Sequence, residues 1–239
     1  MQLYDMHSHI LPGFDDGAKN VEISLKLIDS LKKQGVNNIC LTPHFYTNER
    51  SIDSFVEERD RVFEEFRPYI PEDVNVVLGA EVYVTHYLFN NDDFSEITFG
   101  KSKYILTEYA YNCTFSERTM QKIYMLMNNN GLIPVIPHVE RYPYLMENLS
   151  FISELQDMGI IIQTNAKSYA SDASFFRKRK LLKMISKGYI DILGTDAHSF
   201  THNNPEAFSE AMDIISQKCG RNRLEEMMEI AGDIFNKAL

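Results

Sequence analysis

Five of the seven histidines in this chain fall at the ends of short apolar runs, and three of its carboxylates do the same. The opening segment, Met1 to Gly17, reads MQLYDMHSHILPGFDDG. A short strand over Leu3 and Tyr4 runs into Asp5-Met6-His7-Ser8-His9, and Asp15-Asp16-Gly17 follows. Side chains alternate between faces along a strand, so His7 and His9 project the same way. Two imidazoles pointing one way form half of a first-row transition-metal site. His44, Glu81, Glu108, His138, Asp196 and His198 are donors of the same kind, each following an apolar run, with Asp196 and His198 sharing one.

The elements that must position them alternate. Val21, Ser24, Leu25, Ile28 and Leu31 recur at helical steps, with Asn20 as N-cap and Gly35 just past the end. A strand over Asn38 to Leu41 ends at Thr42-Pro43-His44. A charged helix from about Ile52 to Arg67 is closed by Pro68 and Pro71. Val74 to Leu78 is a strand ending at Gly79-Ala80-Glu81, a helical turn is expected over His86 to Asp92, and Tyr104 to Thr107 ends at Glu108. The pattern continues with a helix over Ser116 to Asn130 and a strand over Leu132 to Ile136, ending at Pro137-His138. Next come a helix over Leu145 to Met158 and a strand over Ile160 to Gln163. A basic helix over Phe175 to Lys187 precedes a strand over Ile190 to Leu193, which ends at Asp196-Ala197-His198. Helices over Pro205 to Lys218 and Arg221 to Ala238 complete the chain. No Gly/Ser/Pro linker interrupts it, so one α/β domain over residues 1–239 is expected. About seven short strands fit a parallel barrel better than an open sheet, and active sites of such barrels gather at the C-terminal strand ends.

Composition narrows the partners. The net charge of −10 argues against nucleic acid and anionic membranes, which call for basic patches. Cys40, Cys113 and Cys219 are odd in number and widely spaced, so they form neither a disulfide framework nor a CxxC motif. They read as buried thiols of a reducing compartment. No basic-then-apolar leader and no apolar segment of about eighteen residues is present, so no direct membrane insertion is expected and the cytoplasm is the expected location.

Residues around the donors have their own readings. Asp5 is placed to orient a first-strand histidine or the local backbone. Asp15-Asp16-Gly17 is turn chemistry, with Asp16 drawn into the donor set by its nearness to His7 and His9. Arg141, three residues beyond His138, sits where its fork can hold two oxygens of a tetrahedral anion. Phe45, Tyr46, Tyr109 and Tyr111 follow donor positions and are candidates to line a pocket for an aromatic group. His86 and His202 lie away from strand ends and are left out of the donor set. The residue six beyond Cys113 is Thr119, so the Cys–Arg loop of a cysteine phosphatase is absent, as are P-loop and serine-hydrolase motifs.

The set His7-Ser8-His9, Asp15-Asp16-Gly17, Thr42-Pro43-His44, Gly79-Ala80-Glu81, Glu108, His138-Val139-Glu140-Arg141-Tyr142 and Asp196-Ala197-His198 resembles the PHP (polymerase and histidinol phosphatase) superfamily. Within it the likeness is greatest to bacterial protein-tyrosine phosphatases of capsule and exopolysaccharide loci, and it spans essentially the whole chain. The resemblance implies a distorted (β/α)7 TIM-like barrel with three divalent metal ions, manganese first, with iron or zinc as alternatives. It implies one ion on His7, His9, Glu81 and Asp196, a second sharing Glu81 with Glu108 and His138, and a third on Asp16, His44 and His198. Arg141 falls on the family's phosphate-binding catalytic arginine. His44 and His198 are candidates to assist the leaving group. Two departures bear on substrate choice: Phe45-Tyr46 stands where many members carry basic residues, and Thr201 to Asn204 where many carry an arginine.

The function so implied is a metal-dependent phosphomonoesterase acting on phosphotyrosine, with a bacterial tyrosine kinase of polysaccharide synthesis as partner. Clustered divalent ions lower the pKa of a shared water toward neutrality, and the resulting metal-bound hydroxide attacks phosphorus in line. Tyrosine has a pKa of about 10, so tyrosinate leaves without a strong acid. The alternatives are a small-molecule phosphatase such as histidinol phosphatase, a C–N or C–O hydrolase on a similar metal barrel, and a non-catalytic metal-binding module. The C–N or C–O hydrolase reading is disfavoured because the bridging lysine often found there has no counterpart. Composition leaves the oligomeric state open.

Overall fold

A computed structural model describes residues 1–91 and 93–239. Among them, nine parallel strand segments alternate with helices. The strands are β1 (Leu3–Asp5), β2 (Val36–Leu41), β3 (His44–Tyr46), β4 (Asn75–Leu78), β5 (Glu81–Tyr83), β6 (Tyr104–Glu108), β7 (Ile133–Ile136), β8 (Ile161–Asn165) and β9 (Ile192–Gly194). The α-helices are α1 (Val21–Lys33), α2 (Ile52–Phe66), α3 (Glu117–Tyr124), α4 (Pro143–Glu147), α5 (Leu149–Asp157), α6 (Phe175–Ser186), α7 (Ala207–Cys219) and α8 (Arg221–Ala238).

The strands form two parallel sheets, ordered β1-β2-β4 and β3-β5-β6-β7-β8-β9. The expected strands at 38–41 and 74–78 each continue after a two-residue break, at Thr42-Pro43 and at Gly79-Ala80. Proline lacks the N–H a ladder needs, which accounts for the first break. The first strand also meets the last: Met6 N–H donates to the Leu193 carbonyl at 3.3 Å, and Ser8 bridges Ala197. The α/β expectation therefore holds, with the ladder divided between two sheets.

Most of the apolar residues bury between the sheets and the surrounding helices. A smaller core holds Cys40, Val77, Leu106, Val135 and Ile192 against Ile234, Phe235 and Ala238 of α8. Counting onward from that core places the donors. Thr42 and His44 follow Cys40 at steps of two, Gly79 and Glu81 follow Val77, Glu108 follows Leu106, and Gly194 and Asp196 follow Ile192. Within β6 a period of two puts Glu108 on the face of Leu106, whereas His44 and Glu81 lie beyond strand breaks and Asp196 lies past β9 at φ +55°. His138 breaks the count, three residues beyond Val135, and there the backbone turns left-handed at φ +36°. Parity also changes at β1, between Met6 in the core and His7 in the site.

Several expected helices differ. The helix over 145–158 is two: Asn148, at φ −117° and ψ 71°, leaves helical geometry and donates from its side chain to the Tyr144 carbonyl, ending α4 before α5 begins. The helix over 116–130 keeps α form to Tyr124 and continues as a π turn over Met125–Asn129. Tyr87–Asn90 forms the turn expected over His86 to Asp92, and Asp92 lies outside the described residues. Cys40 is buried as expected, whereas Cys113 and Cys219 are half-buried, and all three are free thiols. No described helix is long and apolar enough to cross a membrane.

Candidate metal centre

His7, His9, Asp16, His44, Glu81, Glu108, His138, Asp196 and His198 meet at one end of the strands. Three groups have donor atoms within 4.8 Å of one another: His7, His9, Glu81 and Asp196; His9, Asp16, His44 and His198; and His44, Glu81 and Glu108. His138 Nε2 lies 2.7 Å from Glu81 Oε1 and 3.6 Å from Glu108 Oε1. His9 thus adjoins two groups, and His44 stands beside Glu108 as well as beside Asp16.

Two carboxylates at the centre, Asp196 and Glu81, are each divided between two environments. Oδ2 of Asp196 accepts from Asn165 at 2.8 Å, from Asn203 at 2.9 Å and from Arg141. Its Oδ1 is buried without a hydrogen bond and faces Nε2 of His9 at 3.3 Å and of His7 at 3.6 Å. Glu81 repeats this: Oε1 meets His138, while the unbonded Oε2 faces His44 Nδ1 at 3.0 Å, His9 Nε2 at 3.2 Å and His7 Nε2 at 3.3 Å.

These bare atoms test whether the residues fit a metal. An uncompensated buried charge costs several kcal/mol even after relaxation, on the order of what a whole domain can spare. His7 Nε2 and His9 Nε2 approach to 3.1 Å, the separation of two donors each about 2.1 Å from one ion at roughly a right angle. The field has the sign a cation needs. Burial pushes His7 and His9 down, yet Glu81 and Asp196 around His7, and Asp15 beside His9, hold both above the ordinary histidine value. Burial pushes Glu81 and Asp196 up, and the surrounding histidines outweigh it, so both stay below the usual carboxylate range. Glu108 is raised by burial and by Glu81. The donor set fits divalent cations.

The surroundings hold the donors in place. Asp15 accepts from the Gly17 and His44 backbone N–H groups at 3.0 Å each and lies 2.8 Å from Nδ1 of His9. Asp5 accepts from Thr195 N–H at 2.7 Å and from the Thr195 hydroxyl, so it fastens β1 to the segment after β9 and orients backbone, not an imidazole ring. Gln163 accepts the His138 backbone N–H at 2.7 Å. Glu140 accepts from Thr164, Asn165 and Ser168, which fixes the turn that carries Arg141. Two glycines permit the packing: a Cβ on Gly194 would meet His7 Cβ at 2.6 Å, and one on Gly17 would strike the His9 backbone.

The sequence marks Asp15 only as a turn residue and assigns no role to Gln163, Glu140, Asn165 or Asn203. Only Asp15 and Glu140 had a signal, each adjoining a candidate, Asp16 or Arg141. Of the aromatic wall, Phe45 and Tyr109 are buried, and the clefts they border hold none of the donors. Apolar packing claims them, leaving Tyr46 and Tyr111 exposed. Tyr46 stacks on His44 with ring centroids 5.3 Å apart and planes 26° apart. His202 packs edge-on against His198, and His86 lies against Tyr87.

A sequence model described as capsular polysaccharide synthesis, CpsB/CapC, matches residues 3–234. The tyrosine-protein phosphatase CpsB of Streptococcus pneumoniae is 30% identical, with 94% of each chain covered. A solved structure from work on YwqE of Bacillus subtilis and CpsB of Streptococcus pneumoniae, described as unique metal-dependent tyrosine phosphatases, superposes with a TM-score of 0.84. Its identity is 26%, over 99% of this chain and 96% of that one. The phosphotriesterase homology protein of Escherichia coli shares the fold at 14% identity and a TM-score of 0.58, over 98% of this chain and 97% of its own. With the model spanning nearly its whole length, this chain belongs to the CpsB/CapC family of capsular polysaccharide synthesis.

Proposed function

We propose that this chain is a metal-dependent protein-tyrosine phosphatase. One observation carries the reading: bare carboxylate oxygens and ring nitrogens converge around Glu81 and Asp196, with Arg141 at the rim. The names of its relatives and the solved structure support it. We assign three divalent ions, manganese first and iron or zinc as alternatives. His7, His9, Glu81 and Asp196 would hold one, Glu81, Glu108 and His138 another, and Asp16, His44 and His198 the third. We also read residues 1–239 as one domain, a distorted (β/α)7 barrel in which β2 with β3, and β4 with β5, are interrupted single staves.

When bound, such ions activate water near neutral pH and accept phosphoryl oxygens. The chain's own residues supply the rest. Arg141 keeps one nitrogen on Asp196, its side chain is 38% exposed, and its other N–H groups have no protein partner among the described residues. They are free to hold the equatorial oxygens of a phosphoryl group as charge spreads over them. The Tyr46 ring offers a face to an aryl group. His44 and His198 sit toward the open side, 13% and 6% exposed where His7, His9 and His138 are sealed. Nδ1 of His198 already donates to the Asp196 carbonyl at 2.7 Å, so their help to the leaving oxygen would come through the ion they hold, not from a ring proton.

The protein substrate we infer is a bacterial tyrosine kinase of capsule or exopolysaccharide assembly, met in the cytoplasm. Competing kinetics on a phosphotyrosine peptide and on histidinol phosphate test the substrate class. The reading predicts a higher kcat/KM for the peptide, and preference for histidinol phosphate would replace it with a metabolite phosphatase.

A further inference from the structure

Helix α6 opens Phe175-Phe176-Arg177-Lys178-Arg179-Lys180, and no carboxylate occurs from Ala173 to Ile190. Arg177, Lys178, Arg179, Lys180, Lys183 and Lys187 lie in that stretch, a local reversal of charge in a chain of net −10. Phe175 and Phe176, at 67% and 81%, are the most exposed large apolar side chains among the described residues. Folding does not ask for this arrangement. The first turn of a helix carries the positive end of its dipole, so cations there oppose it, and Ser174 provides no side-chain cap. Leu181, Met184 and Ile185, with the half-buried Leu182, anchor the helix to the core.

The patch runs into the catalytic mouth. Arg177 and Ser174 line a cleft of about 260 Å³ together with Lys167 and with Arg141, Asn165 and Asn203, the three residues that donate to Asp196 Oδ2. Lys167 is paired with Asp172 at 2.7 Å, whereas Arg177, Arg179 and Lys180 form no ion pair among the described residues. One turn apart on a helix, Phe176 and Lys180 share an exposed face. That combination of apolar rings and unpaired cations suits a chain bearing both carboxylates and apolar side chains.

We propose that this face of α6 docks an acidic segment of the protein substrate, leading along the cleft to the phosphotyrosine at Arg141. The proposal rests on the phosphatase reading. Continuity with the cleft favours a polypeptide over a lipid surface, because an extended chain can lie on α6 and enter the cleft at once. Long-range attraction of this kind acts on encounter and on KM, and it weakens with salt.

The test compares the full-length, metal-restored protein with the Arg179→Glu/Lys180→Glu and Phe175→Ala/Phe176→Ala variants. Substrates are p-nitrophenyl phosphate, a phosphotyrosine peptide with Asp/Glu flanks and one with Ser/Gly flanks. Charge reversal is expected to raise KM for the acidic peptide about tenfold, while kcat, p-nitrophenyl phosphate turnover and the neutral peptide hold. The phenylalanine variant is expected to raise the same KM about threefold. Equal loss on both peptides, or no loss on either, overturns the proposal. Wild-type sedimentation with phosphatidylserine vesicles, alongside a KM indifferent to flank charge, overturns it in favour of a lipid. Anisotropy with the unphosphorylated acidic peptide separates the two readings. If the wild type turns over no aryl phosphate but binds that peptide about tenfold more tightly than the reversed variant, docking stands and the phosphatase reading falls. Equal binding removes docking.

Discussion

The Asp15 carboxylate lies 2.8 Å from Nδ1 of His9 and also accepts the backbone N–H groups of Gly17 and His44. An ionised carboxylate can only accept, so Nδ1 carries a proton and Nε2, which faces Glu81 and Asp196, is the atom of His9 left to hold a metal. Asp15→Asn removes the charge and weakens the orientation of His9. Metal affinity is expected to fall roughly 10–100-fold, with the far-ultraviolet circular dichroism unchanged. Titration of metal into chelator-treated protein measures it, and wild-type affinity would remove Asp15 from the account.

Arg141 reaches the Asp196 oxygen that points away from the ring nitrogens. Asn165 and Asn203 donate to the same oxygen, so Arg141→Ala leaves it solvated and paired. Turnover of aryl phosphate is expected to drop about 10²–10³-fold while metal content, measured by mass spectrometry, stays at the wild-type level. Loss of metal with loss of turnover would make Arg141 a support of the donor set instead of a phosphate contact.

Much of this site was legible because a strand has a period of two and a barrel-like arrangement gathers strand ends. His44, Glu81 and Glu108 were found at strand ends, and each follows by two or four residues an apolar residue that packs on α8. His138 was found by type alone, since its left-handed backbone breaks the count. Gln163 and Asn203 stayed hidden because amides are common and their roles depend on chain segments distant in sequence. The division of the ladder at Pro43 had a local signal in the missing N–H, whereas the division at Gly79 and the break at Asn148 are tertiary outcomes that local propensity does not rank. Burial of Phe45 and Tyr109 depends on which face of a short segment meets the helices, which alternation over so few residues does not decide.

Gly194 sits where a side chain would press on His7. Both nearest atoms to an added Cβ, His7 Cβ at 2.6 Å and Gln163 Nε2 at 2.8 Å, belong to fully buried side chains. Gly194→Ala is expected to cost about 1–3 kcal/mol and to displace His7. For a chain of this size that lowers Tm by roughly 2–4 °C per kcal/mol. Scanning calorimetry and metal content check it, and an unchanged Tm with full metal would show that the strand yields easily.

Tyr46 is 37% exposed, stacks on His44, and has its hydroxyl pushed up to about 12 by burial and by Glu108, Asp16 and Glu81. The phenol stays neutral, so its part in substrate binding is that of an aromatic face. Tyr46→Ala is expected to raise KM for p-nitrophenyl phosphate about fivefold, with Tyr46→Phe near wild type and alkyl phosphates indifferent to both. An equal rise for alkyl phosphates would assign Tyr46 to the support of His44.

The central claim is that Glu81, Asp196 and their histidines hold metal for phosphotyrosine hydrolysis. The most direct test strips the protein with a chelator, restores Mn²⁺ in steps, and follows bound metal and phosphate release from a phosphotyrosine peptide together, for wild type and Glu81→Gln. Phosphate release should be absent without metal and rise with occupancy until the sites fill, and Glu81→Gln should neither bind nor turn over at the wild-type level. Undiminished phosphate release by the stripped wild-type protein would contradict the account.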